Sequence, residues 1–143
     1  MAPLQPGSPA EPIPGIRVED GRRAVIFYKV TCPTCQLAAV PMERIYRAEP
    51  EAFTAVGQDP PDRLEEFGRT FRTTFPPVAD TPPYPLSDAY GIRTVPTLFV
   101  LEEGRVADVV ESWDRDGWNL AATRLTGSSV SEEGDGLPPF RPG

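Results

Sequence analysis

Apolar positions fall in short, separate runs through the middle of this chain and thin out towards both ends. Ala24-Val25-Ile26-Phe27-Tyr28 is too short for a helix, rich in β-branched and aromatic residues, and closed by Lys29 and the Thr31-Cys32-Pro33 break; it predicts a buried strand over 24–30. Leu37, Ala38, Val40, Met42, Ile45 and Tyr46 follow with helical patterning. That helix opens at Pro33, because a proline in the first turn gives up an N–H that has no helical partner. Pro41 interrupts the pattern and predicts a kink. Ala52 to Val56 reads as a second strand. Asp59-Pro60-Pro61 begins a helix with Leu64, Phe67 and Phe71 along one side. Residues 76–85 read as an irregular loop and 87–90 as a short helix. Thr97 to Leu101 and Val106 to Glu111 flank a Glu103-Gly104 turn and predict a hairpin. Asp116 is placed to cap a last helix carrying Trp118, Leu120, Ala121, Ala122 and Leu125.

Strands separated by helices imply right-handed crossovers between parallel neighbours, and the late hairpin adds an antiparallel edge. The expected fold class is therefore α/β, a central mixed sheet of about four strands with helices on both faces. The expected organisation is an extended N-terminal arm over 1–15, one domain over 16–126 and a mobile tail over 127–143, where Ser, Glu, Gly and Pro dominate. No internal repeat is present.

Composition narrows the function classes. The 143 residues carry a formal net charge of −7 and no basic cluster, which argues against nucleic acid and against an anionic membrane surface as partners. No histidine occurs, so Ser-His and Cys-His nucleophile pairs and His-ligated metals are excluded. No apolar stretch approaches membrane-spanning length, and the first residues, Met1-Ala2-Pro3-Leu4-Gln5-Pro6-Gly7, lack a signal-type apolar core. The expectation is a cytosolic protein. Two cysteines in such a setting point to catalysis or metal binding before a structural staple.

Those two cysteines stand as Cys32-Pro33-Thr34-Cys35, at the junction between the first strand and its helix. The first sulfur falls at the helix N-terminus, where free backbone N–H groups and the positive end of the dipole favour thiolate. The second lies within reach to close or resolve a disulfide. A four-ligand zinc site needs two further Cys or His, which the chain does not have, so no metal or organic cofactor is expected.

At this point the chain resembles a known family. The C-x-x-C after the first strand, together with Thr94-Val95-Pro96-Thr97 before a late strand, looks like a thioredoxin-fold protein. More narrowly it resembles the peroxiredoxin-like thiol-disulfide oxidoreductases of the alkyl-hydroperoxide-reductase/thiol-specific-antioxidant and cytochrome-maturation branch. The resemblance spans about residues 7–125, through Gly7-Ser8-Pro9-Ala10, Val56-Gly57-Gln58-Asp59, Ala89-Tyr90-Gly91-Ile92 and Gly104-Arg105-Val106. It implies that Cys32 is the attacking thiolate and Cys35 the resolving thiol. It also implies that Pro96 is a cis proline beside them, exposing the Val95 backbone to an extended substrate. Thr94, Pro33 and Thr34 would complete the substrate-binding face.

The chain departs from thioredoxin in two places that matter. Ile26 stands where thioredoxin has a buried Asp, and Thr31 where it has a Trp. Glu43 and Lys29 are the local candidates to replace that missing proton acceptor. The Thr and Pro that true peroxiredoxins place upstream of their reactive cysteine are absent, since Lys29 and Cys32 occupy the Thr position before Cys32 and Cys35. The expected function is thus dithiol/disulfide exchange with a disulfide-containing protein or a small thiol, reset by an unidentified thiol reductant. Two other readings stay open: a thiol-dependent peroxidase with antioxidant activity, and a non-enzymatic, redox-responsive binding protein. Trp113 and Trp118 read as packing residues, and the acidic residues as a solvated surface.

Overall fold

The computed structural model describes residues 2–143. Its core is a five-stranded sheet in the order β3-β2-β1-β4-β5. Strand β1 (Arg22–Tyr28) leads through helix α1 (Pro33–Ala48) to β2 (Phe53–Gly57), and α2 (Pro61–Phe71) leads to β3 (Pro77–Ala79). Helix α3 (Pro85–Tyr90) precedes the hairpin of β4 (Thr97–Glu102) and β5 (Arg105–Glu111), and α4 (Arg115–Thr126) follows. Strands β1, β2 and β3 are parallel; β4 runs antiparallel to both β1 and β5.

The continuous apolar run of β1 follows from its central place. Ala24, Ile26 and Tyr28 face a core built with α1, α2 and α4, through residues such as Met42, Phe67, Trp118 and Ala121. Val25 and Phe27 face the opposite side, against Tyr90, Phe99 and Ile13. A strand buried on both faces loses the polar alternation that marks a half-exposed one. Three helices cover the first face. The second is covered by short α3 and by the N-terminal arm.

Three sequence expectations change. The sheet has five strands where about four were expected, because Pro77–Ala79 forms β3 inside the supposed loop. This strand is only three residues long and sits at the edge, the position that tolerates proline, so its residues carry no strand-like pattern. Helix α1 runs unbroken from Pro33 to Ala48 with Pro41 inside it. The cap of α4 is Asp114 rather than Asp116, and its side chain makes no capping bond.

The two ends also make specific contacts. In the arm, Gly7 N donates to Val106 O (2.8 Å), Ala10 N to Gly104 O (2.8 Å) and Leu4 N to Tyr90 O (3.1 Å). The residues expected as a mobile tail fold back: Phe140–Arg141 forms β7, which pairs antiparallel with β6 (Trp113–Asp114).

Candidate dithiol site

Strand β1 ends at Tyr28 and its parallel neighbour β2 ends at Gly57, so the loops leaving both strands meet at one edge of the sheet. Open α/β sheets place their chemistry at this carboxyl edge. Here the loop after β1 turns into α1 with Cys32 at the N-cap and Pro33 as the first helical residue. The backbone turn is fixed by Cys32 N donating to Lys29 O (3.2 Å) and Gln36 N donating to Cys32 O (3.0 Å).

The two sulfurs have opposite environments. Both cysteines are free thiols; Cys32 is half-buried and Cys35 fully buried. Cys32 Sγ accepts a hydrogen bond from Cys35 N at 3.2 Å. The Cys32 thiol is lowered to about 6, chiefly by hydrogen bonding from the Cys35 side chain; partial burial opposes this, while N–H groups of Cys35 and Thr34 and the charge of Arg141 assist. Cys35 is pushed up, first by burial and then by its hydrogen bond to Cys32. At neutral pH the pair therefore holds one thiolate, on Cys32, and one proton, on Cys35.

The second half of the site comes from the loop before β4. The Val95–Pro96 peptide bond is cis, and Cys32 Sγ lies 3.4 Å from Val95 O, to which the protonated thiol donates. Pro96 is buried, and its carbonyl accepts from Ser112 N (2.8 Å); Thr94 O accepts from Thr97 Oγ1 (2.8 Å). Pro33 is exposed beside the thiol, while Thr34 is buried with its hydroxyl donating to Pro142 O at 2.6 Å. Cys32 and Cys35 on one side and Thr94 and Val95 on the other, some sixty residues apart in the chain, thus come together, with Cys32 half-exposed and Cys35 and Thr34 buried beneath it.

Neither Glu43 nor Lys29 acts on the thiols through its side chain. Ile26 is completely buried in the core. Glu43 is taken up by Thr74, accepting from its N (2.7 Å) and Oγ1 (2.5 Å), and by Arg47 Nε (2.8 Å), so it ties α1 to the end of α2. Lys29 contributes its carbonyl. The carboxylate whose charge acts on the buried thiol is Asp59, which adds the smallest of the upward influences on Cys35 and also raises Tyr28. Its Oδ2 accepts from Val30 N at 2.9 Å, which fixes it at the strand edge. The sequence marks Asp59 as a helix start and as part of the Val56-Gly57-Gln58-Asp59 resemblance, with no role assigned to its side chain. Its position directly after a strand parallel to β1 was the available signal. Arg141, the other charge acting on the site, lies in the supposed tail and gave no signal.

A cavity of about 580 Å³ lies between α2 and β3, lined in part by Tyr28, Leu64, Phe75 and Ala79; neither cysteine lines it.

No protein-family model matches the chain, and no curated protein sequence matches it. Solved structures do. Against dsbF of Mycobacterium tuberculosis the chain is 26% identical with a TM-score of 0.61, over 74% of this chain and 81% of that one. Against StoA from Bacillus subtilis it is 25% identical, TM-score 0.53, over 64% and 74%. A thiol:disulfide interchange protein from a Bacteroides species matches with TM-score 0.68 at 18% identity, over 93% and 96%. With its mixed sheet and its free Cys32/Cys35 pair at the start of α1, the chain has the thioredoxin fold and is similar in structure to thiol:disulfide oxidoreductases.

Proposed function

We propose that the protein exchanges its Cys32–Cys35 dithiol with disulfides in polypeptide substrates. The observation that carries this reading is the asymmetry of the pair: a half-exposed, low-titrating sulfur at a helix N-cap, with a buried, protonated one a single turn behind it. In the reducing direction Cys32 thiolate attacks one substrate sulfur. A mixed disulfide forms, the substrate S–S bond breaks, and the departing substrate thiolate takes a proton from solvent. Cys32 then no longer bears the negative charge and hydrogen bond that hold the proton on Cys35. Cys35 gives up that proton, with Asp59, the carboxylate whose charge acts on it, as the acceptor, and attacks Cys32 Sγ. The second substrate thiol leaves, and the enzyme is two electrons more oxidised, with a Cys32–Cys35 disulfide. An external thiol reductant in a cytosolic setting returns it to the dithiol.

Insulin disulfide reduction with dithiothreitol as electron source tests this. Wild type is expected to turn over, and Cys32→Ala to lose the activity to the uncatalysed rate. Cys35→Ala should accumulate mixed disulfides visible by mass spectrometry. Full turnover by Cys32→Ala, or consumption of hydrogen peroxide in preference to insulin, would defeat the reading.

A further inference from the structure

The Gly136–Gly143 segment crosses the reactive face, and its contacts with the body are mostly made by its own main chain. Trp113 Nε1 donates to Pro138 O (2.8 Å), an Arg115 guanidinium N–H to Leu137 O (2.6 Å) and Arg115 N to Pro139 O (3.0 Å). Beyond the β6–β7 pairing, Thr34 Oγ1 donates to Pro142 O and Gly143 N donates to Ser112 Oγ (3.1 Å). A Cβ on Gly143 would collide with the Val95 carbonyl oxygen and lie 2.5 Å from Thr94 Oγ1. This is the same carbonyl that neighbours Cys32 Sγ. The segment's large side chain, Phe140, points away and is 56% exposed.

We propose that Thr34, Val95, Ser112, β6 and Arg115 form a groove for an extended polypeptide, and that residues 136–143 are its resident occupant, which protein substrates must displace to reach Cys32. The groove reads carbonyls and N–H groups along a strand-like segment, the mode by which extended peptides add to a short strand. Because it reads backbone, it accepts many sequences, with a small residue required only where the chain passes Val95. Of the occupant's large side chains only Leu137 packs against the core, and that partly, while Phe140 is exposed, so a competing segment regains most of the hold it displaces through the same hydrogen bonds. Tethering gives the occupant a high local concentration and sets a threshold that a weakly presented disulfide fails to cross. This inference rests on the dithiol-exchange reading for its consequence, but not for its test.

The test uses the full chain. Gly143→Val forces the segment's end away from a rigid backbone atom, and Arg115→Ala removes the donor to Leu137. Labelling of Cys32 by a bulky polyethylene-glycol maleimide is followed at about pH 9, where the thiol is ionised with or without Arg141 nearby. Both variants are expected to label about threefold faster or more, and Gly143→Val, which leaves every groove residue in place, is expected to show a lower KM with unchanged kcat for insulin. A synthetic peptide with the 136–143 sequence should slow labelling of Gly143→Val back towards wild type. Equal labelling rates in wild type and both variants would overturn the proposal, whatever insulin shows. Faster labelling with no insulin turnover in any chain would sustain the groove and remove the reaction.

Discussion

The two ends of this chain have similar composition and opposite modes of attachment. The arm before β1 buries Ile13 at 3% exposure and Val18 at 8%, and completes the sheet's second face with Phe27, Tyr90 and Phe99. The segment after α4 is held by polar groups. Asn119 Oδ1 accepts from Val130 N (2.9 Å) and Ser131 N (3.0 Å), Arg115 Nε donates to Ser131 Oγ (3.0 Å), and Ser131 Oγ donates to Asp135 Oδ2 (2.6 Å). Val130 is the segment's one fully buried apolar residue, and beyond Asp135 only Leu137 packs, partly buried, against the core, the rest being held by hydrogen bonds to its main chain. Buried apolar area makes an attachment permanent, since exposing it is costly. Hydrogen bonds exchange with those of water or of another peptide at small net change. The arm is therefore part of the core, and the last eight residues are suited to leave.

This contrast breaks most visibly at Ile13. Ile13→Ala is expected to cost about 2–5 kcal/mol in denaturant unfolding, as a cavity in a closed core does, with the Cys32 titration unchanged. Asn119→Ala strips two N–H groups of their acceptor and is expected to cost about 1–3 kcal/mol, with faster proteolysis confined to residues after 127. A loss in Asn119→Ala as large as that in Ile13→Ala, or proteolysis in Asn119→Ala spread over the whole chain, would erase the distinction between the ends.

The thiols sharpen it. The alkylation rate of Cys32 should rise with pH through about 6. The sign for stability follows: a group depressed in the folded state stabilises it above the unfolded thiol's titration, and that contribution is lost as pH falls through about 6. The reduced protein should thus gain on Cys32→Ala as pH rises across this window in parallel melting curves. Asp59→Asn removes a charge that opposes ionisation of Cys35, so Cys35 titration should move down while Cys32 alkylation holds its midpoint. Arg141→Met is the smallest change, a modest upward move of the Cys32 midpoint, because Arg141 is the last of the influences on that thiol. Asp135, held at about 2 first by the Ser131 hydroxyl and then by Leu137 N–H, keeps the segment's anchor charged to well below neutral pH.

What the sequence determined is the part governed by short-range rules. Apolar runs of strand length, a proline at a helix start and a cysteine just before it follow from spacing alone, and they placed β1, β2, α1, α2, the β4–β5 hairpin and the reactive thiol. Residues without such a period escaped. Pro77–Ala79 is a strand only because β2 offers it an edge. Asp59 comes within electrostatic reach of Cys35 only because two parallel strands end side by side. Thr34 meets Pro142 across 108 positions. Those contacts are made by single hydrogen bonds and charges, which leave no repeating mark in the chain, so only the packed sheet, by fixing which ends and loops come together, could decide them.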